Sequence, residues 1–237
     1  MSALFNRLTA KSPASVVDFV LITVIYFLGY LFFFPLILAL IELVYPGFLT
    51  LPYTDVIFHT IMTLVFLFLG RRYLQEKGSG WSVGTLWTIS QGFMAMMFGS
   101  MALNILISTL TGLETSLNQK ALTDLFLQNP LAITVQAAIF APIAEEVVFR
   151  GALYRHFRKE QRFWVPLLVS SILFGSMHAL VSIISGAWTD LWFVPVYVYM
   201  GLVLAVVYER THSLYAAVTV HFLNNAISIY VMYALLG

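Results

Sequence analysis

The sequence predicts an all-α fold: a polytopic membrane helix bundle with seven or eight transmembrane helices. Three observations carry that reading. Hydrophobic residues make up 60% of the 237 residues and charged residues only 10%, with a mean hydropathy of +0.90. A soluble domain is about 45–50% apolar and about 25% charged, so a water-exposed surface could not be built from this composition. The apolar residues also gather into long stretches, and a helix needs roughly 20 of them to cross a bilayer. Finally, basic residues collect between alternate stretches. Soluble secreted, disordered and nucleic-acid-binding classes are excluded, and a net charge of +1 offers no surface for a polyanion. The chain has no cysteine, which removes disulfides, thiolate metal sites and a cysteine nucleophile.

Seven stretches qualify, at about 16–45, 54–70, 82–111, 131–154, 163–185, 189–208 and 213–236. The first contains Pro35 and is long enough to tilt or kink. It is too long for a signal-peptide core and lacks a small-residue cleavage site, so it reads as a retained anchor. The third carries Met94, Met96, Met97 and Met101, which suit adaptable packing, and Asn104, which suits interhelical hydrogen bonding. The fourth follows Asn129-Pro130, with a short interfacial helix starting near Lys120. Gly186 and Pro195 allow a different break within 163–208, which would give an eighth segment. No internal repeat or linker divides the chain, so 1–237 reads as one membrane domain. His59 reads as a packing residue without a local polar partner, and His156 and His212 as solvated loop residues. Glu42, Asp55 and Asp190 fall at segment ends and need no role.

Orientation follows from the basic residues. Arg7 and Lys11, then Arg71, Arg72 and Lys77, then Arg155, Arg158, Lys159 and Arg162, then Arg210, all fall on one side if seven helices alternate. Lys120 stands alone on the other side, among Asp55, Glu114, Asp124 and Asp190. The expectation is a multi-pass protein of the cell membrane with a cytoplasmic N-terminus. Trp81, Trp87, Trp164, Trp188 and Trp192 all lie near segment starts, where interfacial belts form.

Ionisable groups within a spanning helix are costly and point to function. The fourth stretch contains Glu145, Glu146 and Arg150. Glu146 and Arg150 are spaced i,i+4 and can pair along one face, an architectural role. Glu145 is rotated by about 100° and lacks a local partner. The fifth stretch holds Phe174 and His178 on one face, with Gly175 and Ser176 permitting close helix approach. The seventh holds His221 and Asn225, again i,i+4. At about 1.5 Å per residue, Glu145 lies about 15 Å from the cytoplasmic end of its helix, His221 about 12 Å, Asn225 about 18 Å and His178 about 22 Å. Three helices thus present Glu, His, His and Asn near mid-membrane, the composition of a water-activating site. Such a site must be hydrated, and the expectation is one cavity opening toward the cytoplasm, with the loop 155–162 at its mouth.

Glu145-Glu146-x-x-x-Arg150, Phe174-x-x-x-His178 and His221-x-x-x-Asn225, in that order and each in an apolar segment, resemble the CPBP family of intramembrane proteases, also called the CAAX-protease or Abi family. The resemblance covers about 130–230. It implies an intramembrane endopeptidase acting on a membrane-associated peptide or protein within the lipid bilayer, in bacteriocin or pheromone processing or in CAAX-like cleavage. It implies Glu145 as the general base, Glu146 and Arg150 in support, and His178, His221 and Asn225 as groups that hold water and stabilise the tetrahedral intermediate. A divalent metal such as zinc, held by Glu145, His178 and His221, and a metal-free glutamate mechanism both remain open. The competing readings are a non-catalytic immunity or binding protein on the same scaffold, and a proton-coupled transporter. The absence of a repeat weighs against the transporter.

Overall fold

A computed structural model describes residues 16–49, 53–74, 81–158 and 163–236. Every regular element among them is helical. We number these α1 (Val16–Val44), α2 (Thr54–Leu74), α3 (Val83–Thr111), α4 (Leu117–Gln128), α5 (Pro130–Phe157), α6 (Trp164–His178), α7 (Leu180–Ser185), α8 (Trp188–Thr211, opening with one 3₁₀ stretch) and α9 (Leu214–Leu236). Six of them, α1, α2, α3, α5, α8 and α9, are long and apolar enough to cross a membrane. The protein is therefore a multi-pass helical membrane bundle.

The fifth predicted stretch, 163–185, is not one continuous helix. It breaks at Ala179 (φ −91°, ψ 0°) into α6 and α7. No eighth spanning segment occurs among the described residues. Arg7, Lys11, Lys77, Lys159 and Arg162 lie outside them.

Local chemistry fixes the helix ends that matter to the site. Ser116 caps α4 by accepting from the Gln119 amide at 3.1 Å. Asn129 caps α5 by accepting from the Ala132 amide at 3.1 Å, and Pro130 follows at a first-turn position where no donor is missed. Glu42 accepts from the Gly47 and Leu49 amides at 2.7 and 2.8 Å, stopping α1. Trp81, Trp87, Trp164, Trp188 and Trp192 are all exposed at segment starts.

Large apolar side chains cover the outside of every spanning helix, a surface that acyl chains rather than water can accept. Inside, α6 and α8 approach most closely at two glycines. A Cβ on Gly175 would lie 2.8 Å from the Val198 amide nitrogen, and one on Gly201 would lie 2.9 Å from Ser171 Cα. Backbones meet here because no side chain stands between them.

Four smaller expectations change. His59 has a local partner, donating from Nδ1 to the Asp55 carbonyl at 2.8 Å. Asn104 bonds to Ser100 of its own helix at 2.9 Å rather than to a neighbouring one. His156 is half-buried and stacks on Phe19 at 3.9 Å, and His212 is half-buried too.

Candidate active site

Helix α5 carries the acidic pair in a short α-helical segment, Ala141–Glu146, set between two π-helical stretches, Val135–Phe140 and Val147–Tyr154. Such wider turns rotate successive side chains and recur at functional sites. The expected Glu146–Arg150 ion pair forms. Arg150 Nη1 donates to Glu146 Oε1 at 2.9 Å, and Nη2 donates to the Gly201 carbonyl at 2.7 Å. Both side chains are fully buried, and the guanidinium carbon lies 5.1 Å from the Phe174 ring centre. Gly201 thus has a double function: it lets α8 approach and supplies an acceptor.

His221 of α9 sits between the two glutamates. Its Nδ1 is 3.1 Å from the same Glu146 oxygen that Arg150 uses. A carboxylate only accepts, so Nδ1 is the protonated nitrogen. Nε2 then faces Glu145 Oε2 at 3.9 Å. That distance is too long for a hydrogen bond, yet one water can contact both atoms. Glu145 Oε2 is buried without a hydrogen-bond partner among the described residues, as is Glu146 Oε2. The two orphans differ in setting. Glu146 is sealed in protein, whereas Glu145 faces a cavity.

His178 ends α6. Its Nδ1 donates to the Phe174 carbonyl at 2.9 Å, and its ring stacks on Tyr197 at 4.5 Å. A neutral His178 therefore keeps Nε2 as an acceptor. Phe174 lies between the histidines, 4.7 Å from His178 and 5.7 Å from His221 by ring centres. Asn225 donates to the Ala137 carbonyl of α5 at 2.9 Å, and its oxygen accepts from Asn224 at 3.2 Å. One amide proton is thereby committed to joining α9 to α5.

Glu145, His178, His221 and Asn225 line one cavity of about 500 Å³. Arg155 and Arg158, from the loop expected at its mouth, do not line it. The lining continues through Glu114, Thr115 and Asn118 at the junction of α3 and α4, and includes none of Arg71, Arg72, Arg155, Arg158 or Arg210. The depth count located the residues along their helices but not which half of the bundle is filled. The half of α5 after Glu146 is solid: every residue of Val147–Tyr154 is buried.

Among the described residues, no three or more His, Cys, Asp or Glu side chains are grouped to hold a metal ion. Glu145 and His221 face one another, but His178 is not drawn into a common set with them.

Sequence reasoning passed over three residues around the site. Asp190, set aside as a segment end, accepts from the Leu117 amide at 2.9 Å and from Ser182 Oγ, tying α4 to α7 and the start of α8. The Tyr197 hydroxyl lies 2.7 Å from Ser116 Oγ. Glu209 accepts from Tyr154 at 2.6 Å and pairs with Arg158 at 2.7 Å, closing the basic end. Asp190 alone gave a signal, being a carboxylate inside an otherwise apolar stretch.

Residues 127–227 match the model of the type II CAAX prenyl endopeptidase Rce1-like family. This segment is similar to a CAAX protease-family domain. It contains all three motifs, from Glu145 to Asn225. The chain is similar to a Bacillus subtilis protein named a membrane peptidase, YdiL, at 29% identity over 64% of this chain and 57% of the relative. It is 28% identical to the membrane-embedded CAAX protease MroQ of Staphylococcus aureus, over 56% of this chain and 53% of MroQ. UPF0177 protein YaiH of Lactococcus lactis is 37% identical over 41% of this chain and 36% of its own. The chain thus spans about half the length of the relatives it matches, or less. No solved structure matches it.

Proposed function

We propose that the chain is an intramembrane endopeptidase that hydrolyses a peptide bond with water activated by Glu145. The observation that carries this is the buried Glu145 oxygen, without a hydrogen-bond partner among the described residues and facing a cavity shared with His178 and His221. A carboxylate that binds nothing else is available to take a proton. Water positioned between Glu145 Oε2 and His221 Nε2 loses its proton to Glu145 as its oxygen adds to the substrate carbonyl. The remaining amide proton of Asn225 stabilises the resulting oxyanion, while the Nε2 acceptors of His178 and His221 hold the water. Glu145 then returns the proton to the departing amine as the C–N bond breaks. Glu146 accepts from His221 Nδ1 and so fixes which imidazole nitrogen faces the water, and Arg150 holds Glu146 in place. In the cell membrane the N-terminus is cytoplasmic, because Arg71, Arg72, Arg155, Arg158 and Arg210 share that end.

The test is Glu145→Gln, which keeps size and removes the base. Terminal peptides would be compared by mass spectrometry across cells with the native protein, the variant, or neither. New peptide termini should appear with the native protein only. If the variant yields the same termini as the native protein, the catalytic reading fails and a non-catalytic binding or immunity role takes its place.

A further inference from the structure

We infer that substrate reaches Glu145 from the extracytoplasmic face, so that the segment cleaved is one already exposed there: an exported peptide or the outer portion of a membrane protein. This rests on the proposed peptidase function and extends it to the side of access.

Four helices give the direction independently. The α3 helix starts beyond the basic Arg71-Arg72 end and lends the cavity Ser100 and Asn104, from its far half. On α5, whose basic end is Arg155 and Arg158, the contributors are Gln136 and Glu145, which precede Arg150. From α8, which ends at Arg210, comes Tyr197 in its first half. The α9 helix, which begins just after Arg210, adds Ser228 a full two turns past His221. The lining on α3 and α8 thus comes from the half distal to the basic end, and on α5 and α9 it runs from Glu145 and His221, near mid-helix, toward that same distal end.

The other half is closed by two layers. Nearest the site lies the Glu146–Arg150–Gly201 cluster, without solvent exposure at either side chain. Below it, Tyr154 and Arg158 converge on Glu209 at 2.6 and 2.7 Å. A peptide entering from the cytoplasm would have to break both, and exposing one partner of a buried ion pair is costly.

The open half is polar in a way that suits an extended backbone. Carboxamides from four helices, Asn104, Asn118, Gln119, Gln136 and Asn224, line it. Each can donate and accept, as the N–H and C=O groups of a strand require. A purely hydrocarbon occupant would leave those groups without partners.

The chain has no cysteine, so single cysteines report access directly. Thr115→Cys sits at the mouth, Ser228→Cys inside the cavity, Glu145→Cys at its floor and Arg71→Cys at the basic end. The probe is a small, membrane-impermeant trimethylammonium methanethiosulfonate, applied to intact cells and to inside-out membrane vesicles. Thr115→Cys and Ser228→Cys should label at least tenfold faster in intact cells, and Glu145→Cys should follow the same side more slowly. Arg71→Cys should show the reverse. Labelling of Ser228→Cys and Glu145→Cys only in inside-out vesicles overturns the inference, as does labelling of neither from either side. If Glu145→Cys does not accumulate, Ser228→Cys decides alone. The readout needs no cleavage, so it stands apart from the Glu145→Gln test of the peptidase reading.

Discussion

Helices α1 and α5 are both long, apolar and uninterrupted by water-seeking residues at most positions, yet they occupy opposite places in the bundle. Across its most apolar window α1 is 6% buried, whereas α5 is 56% buried. The helix with fewer polar groups is the peripheral one. In water the order would be reversed, because apolar surface is what a soluble fold hides. In lipid, acyl chains solvate Leu and Phe as well as protein does, and burial is set by polar groups and small residues that need protein partners. Helix α5 has Glu145, Glu146 and Arg150 to satisfy, while α1 has no charged residue between Asp18 and Glu42. The contrast predicts where substitutions will hurt.

The largest effect belongs to Glu145. Removing a general base costs about 10²–10⁴-fold in rate, so Glu145→Gln should reduce peptide-bond cleavage by at least that range while the amount and thermal stability of the protein in detergent stay native. A stable Glu145→Gln protein with unchanged cleavage would show that α5 is central for packing alone.

Next comes Arg150. Deleting one member of a buried pair costs about 3–5 kcal/mol because a charge is left alone. Arg150→Ala also frees the Gly201 carbonyl. Its membrane level and midpoint in a mixed-micelle denaturation series should both fall. Full-level, cooperatively unfolding Arg150→Ala protein would place Arg150 among the groups serving chemistry rather than architecture.

A third substitution tests the helix that presses on this pair. Gly201→Ala puts a methyl 2.9 Å from Ser171 Cα and 3.2 Å from the Ser171 carbonyl oxygen. Both are backbone atoms and cannot step aside. Overpacking of this kind costs about 1–3 kcal/mol, measurable as a lowered midpoint in the same series. A neutral result would mean that α6 and α8 slide apart freely.

These positions also show what the sequence made legible. The spanning helices could be placed to within a few residues, because apolar length is a property of the chain itself. The short helix before Asn129-Pro130 and the Glu146–Arg150 pair were readable for the same reason: their signals lie within one turn or one cap. Contacts between distant residues were not. Asp190 to Leu117 and Glu209 to Arg158 join residues 73 and 51 positions apart, with no periodic signature. The break at Ala179 was hidden because Leu180–Ser185 remains apolar after the helix turns. The direction of the cavity was hidden as well, since it depends on which side of Glu145 is filled by Phe149, Arg150 and Tyr154. Counting residues from a helix end gives depth but not access.

The smallest effect is expected on α1. Leu36 and Leu40 are 54% and 53% exposed, on the outer surface of the bundle. In a soluble core, Leu→Ala costs about 2–5 kcal/mol, for lost transfer energy and the cavity left behind. Here lipid contacts these side chains before and after helices associate, and it flows into any space a truncation leaves. Neither term then separates the folded from the dissociated state. Leu36→Ala and Leu40→Ala should each shift the denaturation midpoint by no more than about 0.5 kcal/mol, the range of ordinary surface substitutions. The matching change on α5, Val148→Ala at a fully buried position, should cost measurably more despite removing fewer atoms. If the α1 truncations prove as damaging as Val148→Ala, then α1 is covered in the membrane, and its exposed face is a contact with another protein surface rather than with lipid.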